Sequence, residues 1–228
     1  MTELVLQVKG LSKSFKQGRN KITILDNADF ELKTNEVVAL VGPSGCGKTT
    51  FLQMLGLLDV PDKGSIIIKD INYSKVIFDY KKTICRRYNI GFIYQAYNLL
   101  NDFTVLENTM LPLRVQSVSK SQAKKKALAL LKELGLEERV SHLPAQLSGG
   151  EQQRAAVARS IIHEPSIILA DEPTGNLDHD NSIKVINILI ELVKKLKKSL
   201  FMVTHNMEIV KKADRIMTID NGKLVKYK

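Results

Sequence analysis

Three short runs, Val37 to Val41, Ser166 to Ala170 and Leu200 to Val203, are dense in β-branched and aliphatic residues and bounded by polar ones. That pattern predicts strands buried on both faces. Ile90 to Tyr94 reads as a further strand ending at Gln95. Residues 4 to 9 and 22 to 32 alternate instead, as half-buried strands do, with polar Lys16 to Asn20 as the turn between them. Pro61-Asp62-Lys63-Gly64 has turn chemistry and precedes a strand over Ser65 to Lys69. Ile216 to Asp220, Asn221-Gly222 and Lys223 to Val225 predict a hairpin with a type I′ turn.

The apolar period changes elsewhere. Phe51, Leu52, Leu55 and Leu58 recur at helical spacing, residues 79 to 88 read as helix, and helix dominates from Ala96 to about Leu147. Thr104 with Glu107, and Ser119 with Gln122, have capping-box spacing. Ala127, Leu130, Leu131 and Leu134 form one apolar face, and Gly135 is a suitable stop. Ser148 with Glu151 repeats the box and predicts a helix continuing through Ala155, Ala156 and Val157. Asn35 suits the turn into the central strand because it tolerates positive φ. The alternation predicts an α/β core interrupted by a helical subdomain.

Composition narrows the class without choosing the chemistry. The 228 residues, 44% hydrophobic and 25% charged, match an ordinary globular protein able to bury a sizeable core. No run reaches the ~20 apolar residues of a membrane helix, and the start has no signal-peptide pattern. Cys46 and Cys85 make no disulfide framework, so a reducing cytoplasm is expected. The net charge of +10 fits a polyanionic partner, nucleic acid or an anionic membrane face, although any single cluster such as Lys124-Lys125-Lys126 reads first as a solvated face.

The stretch GPSGCGKTT, Gly42 to Thr50, carries the chemistry. It matches G-x-x-x-x-G-K-[ST], and it follows a strand and opens a helix, the context in which this pattern cradles nucleotide phosphates. Gly42, Gly45 and Gly47 let backbone N–H groups turn toward the phosphates, and the helix N-terminus adds partial positive charge. Lys48 can reach the β and γ phosphates, and the Thr49 hydroxyl is the expected Mg²⁺ ligand.

A second glycine-rich helix start, Ser148-Gly149-Gly150-Glu151, also suits an anion, though alone it reads as a cap. Asp171 and Glu172 end a buried strand. Alternation there would point them in opposite directions, Asp171 toward Mg²⁺ and Glu172 toward an attacking water. His205 follows the strand at Leu200 to Val203, whereas His142, His163 and His179 read as ordinary surface residues. Phe15 stands just before the first turn, where an isolated aromatic is more often core than a stacking platform.

Together these landmarks resemble the nucleotide-binding subunit of an ATP-binding-cassette (ABC) transporter, over essentially the whole chain. The resemblance implies a P-loop NTPase fold, with a RecA-like core, an antiparallel β subdomain and an inserted helical subdomain. It implies a single domain over 1–228, with 1–95 and 160–228 as core and 96–159 as the helical subdomain. ATP and Mg²⁺ are the implied cofactors. Lys48, Gln95, Glu172 and His205 take catalytic roles, and Thr49, Gln95 and Asp171 hold the metal. The nucleotide is contacted by Phe15, Gly42, Pro43, Ser44, Gly45, Cys46, Gly47, Lys48, Thr49, Thr50 and Gln95, and by Ser148, Gly149, Gly150, Glu151 and Asp178.

Two subunits of such a family meet head to tail on ATP, so Ser148 to Gly150 of one close over the γ-phosphate held by Lys48 of the other. Separately encoded integral-membrane permeases are the implied partners, reached from the cytoplasmic face, and no nucleic acid is expected. The stretches ADEPTGNLD, FIYQAYNLL and LENTMLPL are similar to the macrolide-exporter, lipoprotein-releasing and cell-division branch. Asn35 for a usual Gly, Phe15 for Tyr and Glu151 for Gln depart from the family pattern without removing a catalytic group, and Glu151 adds charge near the triphosphate. Two rival readings are a solute importer and a nucleic-acid-associated ATPase. The second would need long heptad repeats in residues 51 to 146 or two cassettes in one chain, and the sequence has neither.

Overall fold

The computed structural model describes residues 3–18, 20–76 and 79–227. The strands are β1 (Leu4–Gln17), β2 (Asn20–Lys33), β3 (Val37–Val41), β4 (Lys63–Ile68), β5 (Ile71–Asn72), β6 (Ile90–Tyr94), β7 (Ile167–Asp171), β8 (Ser199–Val203), β9 (Arg215–Asp220) and β10 (Lys223–Lys226). The α-helices are α1 (Lys48–Leu55), α2 (Asp79–Asn89), α3 (Val105–Val115), α4 (Lys120–Glu133), α5 (Gly149–Ile161), α6 (His179–Lys195) and α7 (Met207–Val210). One sheet is antiparallel in the order β2-β1-β4-β5; the other runs β10-β9-β3-β8-β7-β6. In the second, β9, β3, β8, β7 and β6 are mutually parallel and β10 returns antiparallel.

Every residue of β3 and β8 is buried, as their unbroken apolar runs require. Parallel strands need both faces covered. One face packs with α1 against the antiparallel sheet, where Phe30, Phe51 and Phe201 meet edge to face at 5.2 to 5.7 Å. The other face packs on α5 and α6 through Val157, Ile161, Val185 and Leu189. A smaller cluster of Met110, Leu113, Ala123, Ala127 and Ile162 holds α3 and α4 to the end of α5.

Register explains why distant motifs meet. Tyr94 pairs with Asp171, Asp171 with Val203, and Val203 with Leu40. The C-terminal ends of β6, β7, β8 and β3 are therefore level along one edge. Gln95, Glu172, His205 and the Gly42 loop leave from that edge, where ligands bind in open α/β sheets.

Local signals held where they rest on short-range chemistry. Asn35 has φ +60°, Gly135 φ +65°, and Asn221-Gly222 φ +47° and +77°, the positive pair a type I′ turn demands. Thr104–Glu107 forms its full capping box, whereas Ser119 only accepts the Gln122 N–H.

Other boundaries moved for tertiary reasons. β1 and β2 extend beyond 4–9 and 22–32 and pair down to Gln17 and Asn20, so Lys16, Gln17 and Asn20 are strand rather than turn; residue 19 lies outside the described residues. Lys63 and Gly64 are strand rather than turn, because Gly64 at φ +93° meets a kink in β1. A Cβ on Gly64 would lie 2.4 Å from the Gly10 carbonyl oxygen, so only glycine allows that crossing. α1 stops at Gly56, leaving Leu58 half exposed beyond it. His142 and His163 are partly buried rather than surface residues, and the His163 Nε2 lies 3.2 Å from the Ile90 carbonyl oxygen.

Candidate active site

The phosphate loop turns on three positive-φ glycines, Gly42 at +146°, Gly45 at +80° and Gly47 at +104°. Gly47 caps α1 in the left-handed region, with no side-chain acceptor and no acid in the first turn, so the first N–H groups of the helix are left without partners from their own side chains. A Cβ on Gly47 would strike the Ile24 side chain at 2.3 Å, whereas one on Gly45 would meet nothing within 4 Å. Ile24, Gly45, Gly47, Lys48, Thr49 and Thr50 bound a hollow of about 150 Å³.

Lys48 is 9% exposed, and its ammonium donates to the carbonyls of Gly42 (2.9 Å) and Pro43 (2.7 Å), which hold the charge at the loop. Pro43 and Ser44 are exposed at the rim; Cys46 packs beneath, its Sγ 3.1 Å from the Cβ direction of Gly42.

Thr49 Oγ1 donates to Asp171 Oδ1 at 3.3 Å, bringing together a hydroxyl from α1 and a carboxylate from β7. Burial pushes the Asp171 pKa up, the Thr49 hydrogen bond opposes that, and the Glu172 charge raises it further. A divalent cation would relieve that burden. One hydroxyl and one carboxylate suit Mg²⁺, which keeps several waters and takes substrate phosphate oxygens.

Glu172 diverges from Asp171 by a different route than strand alternation. Its φ is +47°, a left-handed kink directly after β7, pinned by its N–H donating to the Val203 carbonyl at 2.9 Å. The kink carries the carboxylate to His205 Nδ1 at 2.5 Å. Asp171 and Glu172 thus face different partners.

Gln95 is not brought onto Thr49 or Asp171. Its Nε2 donates to Asn176 Oδ1 at 3.4 Å, its carbonyl accepts from Asn176 Nδ2 at 2.8 Å, and its side chain lies on Gly175. Asp178 caps α6, accepting from the Asn181 N–H at 2.9 Å and its amide at 2.6 Å, which holds its carboxyl below the usual range. Phe15 is 45% exposed on the β1–β2 hairpin rather than core, with the Lys13 ammonium 5.2 Å from its ring centre.

Ser148 caps α5. Glu151 Oε2 accepts both the Ser148 N–H and its hydroxyl at 2.8 Å, and Glu151 Oε1 pairs with Arg139 at 2.9 Å. The Ser148 N–H first, then its hydroxyl and Arg139, pull the Glu151 pKa down to about 2 despite the cost of burial. The charge that distinguishes Glu151 from Gln is therefore paired within the chain.

Sequence reasoning missed Arg139, Asn176, Tyr97 and Arg159. For Arg159 a signal existed: it is a lone charge in the apolar run from Ala155 to Ile162. It lines a groove of about 430 Å³ between the core and the helical arm, together with Arg86, Phe92, Tyr94, Leu111 and Pro112.

A sequence profile of the ABC transporter family matches residues 25–175. The lipoprotein-releasing system ATP-binding protein LolD of Ehrlichia ruminantium is 46% identical over 98% of this chain and 98% of its own. LolD of Nitrobacter hamburgensis is 44% identical over 97% and 95%. A bacterial ABC transporter cassette solved as a dimer superposes with a TM-score of 0.88 at 37% identity, covering 98% of this chain and 99% of that one. A dimeric post-hydrolysis cassette bound to ADP and Pi gives 0.88 at 36% identity, over the same shares. The chain belongs to the ABC transporter family, as an ATP-binding cassette that hydrolyses ATP with Mg²⁺.

Proposed function

We propose that this chain is the ATPase subunit of an exporter that releases lipoproteins, working as a head-to-tail homodimer on separately encoded permeases at the cytoplasmic face of the membrane. The near-full-length likeness to lipoprotein-releasing ATP-binding proteins supports that substrate class. Among the described residues no helix is long and apolar enough to cross a membrane. The groove beside Tyr94 and Leu111 suits a permease segment, and the neighbouring exposed face of α2, with Tyr80, Ile84 and Tyr88, extends it. The net charge of +10 favours an anionic membrane surface.

Within each subunit, residues 1–95 and 160–228 form the nucleotide core and 96–159 the helical subdomain. Phe15 stacks on adenine, the N–H groups from Gly42 to Thr50 cradle the phosphates, and Lys48 neutralises the β and γ oxygens. Thr49 and Asp171 hold Mg²⁺, which supplies charge neutralisation and orientation when bound. Glu172 takes a proton from the water that attacks the γ-phosphorus as ADP leaves, and His205 fixes the Glu172 carboxylate. Ser148, Gly149 and Gly150 of the second subunit close the site, with Glu151 and Asp178 shaping its edge. Gln95 reaches the site only if its amide leaves Asn176, which makes it a responder to bound nucleotide.

The observation that carries this reading is the Glu172–His205 contact at 2.5 Å, beside Lys48 and the Thr49–Asp171 pair. Glu172→Gln should retain ATP binding, lose roughly 10²- to 10⁴-fold in turnover as for a lost general base, and accumulate as an ATP-bound dimer. Near-normal turnover would remove Glu172 from that role. For the exporter, a tagged chain should co-purify with a four-helix permease bearing a large extracytoplasmic domain; a compact permease would favour import.

A further inference from the structure

The segment after Gln95 is held in an unusual way. Tyr97 and Asn98 are consecutive residues in the left-handed region, at φ +46° and +52°. Two adjacent non-glycine residues there are unfavourable unless their surroundings enforce the conformation. The enforcing group is Arg159 of α5, which donates from one guanidinium nitrogen to the Asn98 carbonyl at 2.5 Å and from the other to the Tyr97 carbonyl at 2.9 Å. The two carbonyls are each met by one arm of the guanidinium, a two-pronged contact that a planar fork makes and a lysine ammonium does not reproduce. The Tyr97 side chain lies over the second glycine-rich turn: a Cβ on Gly149 would fall 2.9 Å from the Tyr97 hydroxyl.

Arg159 therefore meets three features at once. It grips the loop that begins at Gln95, it sits on the helix that Ser148 opens, and it lines the groove between core and helical arm. We infer that Arg159 is a positioning residue of the hydrolytic cycle: by clamping the Tyr97 and Asn98 carbonyls it sets where Gln95 can reach. This rests on the reading of Gln95 as part of the site. Arg159 touches no reacting atom; its effect passes through the loop.

The test uses the purified full-length chain, with steady-state kcat and KM for ATP and hydrogen exchange over residues 95–100. Arg159→Lys keeps the charge and loses the fork. It should raise exchange in that segment and lower kcat about tenfold, while KM for ATP stays within about twofold, because the phosphate loop is untouched. A general loss of fold would move exchange across α5 and shift KM as well.

Asn98→Val guards against a misfolded Arg159 variant. Asn98 is exposed, and a β-branched residue at φ +52° disfavours the clamped loop without touching the core, so the same split in kcat is expected. Both variants are then combined with Gln95→Ala. If the inference holds, neither lowers kcat further in that background. Losses that multiply with a depressed Gln95→Ala, or loop exchange unchanged in Arg159→Lys, would overturn the inference alone. A normal kcat in Gln95→Ala would overturn the reading of Gln95 and the inference with it.

Discussion

The chain opens two helices on glycine-rich turns, and the two ends are finished in opposite ways. At α1 the cap is Gly47, with no side-chain acceptor and no acid in the first turn. At α5 the cap is Ser148, locked in a complete capping box whose carboxylate is paired with Arg139. Both ends carry the same helix dipole. They differ in what satisfies the orphan N–H groups: α1 offers them no side-chain partner, whereas at α5 the Ser148 and Glu151 side chains take up two and only Gly149 and Gly150 are left without one. The first end is built to bind an anion alone. The second is a rigid edge with two donors, suited to completing a site whose affinity is supplied elsewhere.

The largest expected effect follows from that asymmetry. Lys48→Ala should abolish most binding at the α1 end and lower turnover by on the order of 10³-fold, the scale of losing a preorganised charge at a reacting phosphate. Nucleotide binding followed by fluorescence and steady-state ATPase activity would measure it. If Ser148→Ala weakened binding by the isolated chain just as much, the two ends would be equivalent and the comparison would fail.

Ser148→Arg sharpens the other half. The long side chain should block closure of the partner over the α5 end, while each monomer still binds ATP with unchanged affinity. Turnover should fall about 10²-fold, as for a misplaced reacting partner. Size-exclusion chromatography in the Glu172→Gln background should show monomer where the single variant shows dimer. A dimer that persisted would remove Ser148 from the contact between subunits.

What the sequence disclosed follows the same division between local and long-range causes. The glycine turn that opens α1, the three buried runs and the turn at Asn221-Gly222 are short-range patterns, each readable because its physics is completed within a few residues. The length of β1 was not readable, since it depends on Gly64 crossing Gly10 from a distant strand so closely that a Cβ would not fit. Nor was the Glu172 direction: strand alternation gave the right separation from Asp171 for the wrong reason, because the turn comes from a left-handed kink held by Val203. Asn108 shows the limit most plainly. It is fully buried, its amide donates to Leu100, Phe103 and Thr104, and its oxygen accepts from the Leu100 N–H, organising the entry to α3. Set between the polar Glu107 and Thr109 in a helical pattern, it gives no sign of that burial.

The smallest effect belongs to the charge that Glu151 brings to the capping box at the α5 end. Glu151→Gln keeps the capping geometry, since Gln also serves in the box, and removes only the charge. At neutral pH the loss of the Arg139 pair and of the charge at the N-terminus should cost no more than about 1 kcal/mol, given that both partners are partly solvated. For a chain of this size that is a shift of about 2–4 °C in Tm. The pH dependence is more telling. A folded pKa of about 2 against an ordinary 4.5 means that the charge stabilises the fold above pH 4.5 and that this contribution is lost as pH falls through the folded value. In urea unfolding, wild type should therefore lead Glu151→Gln at pH 6, lose that lead progressively between pH 4.5 and 2, and draw level below it. A gap that stayed constant across that window would mean that Glu151 acts by shape alone, and that the two helix ends differ in geometry and not in charge.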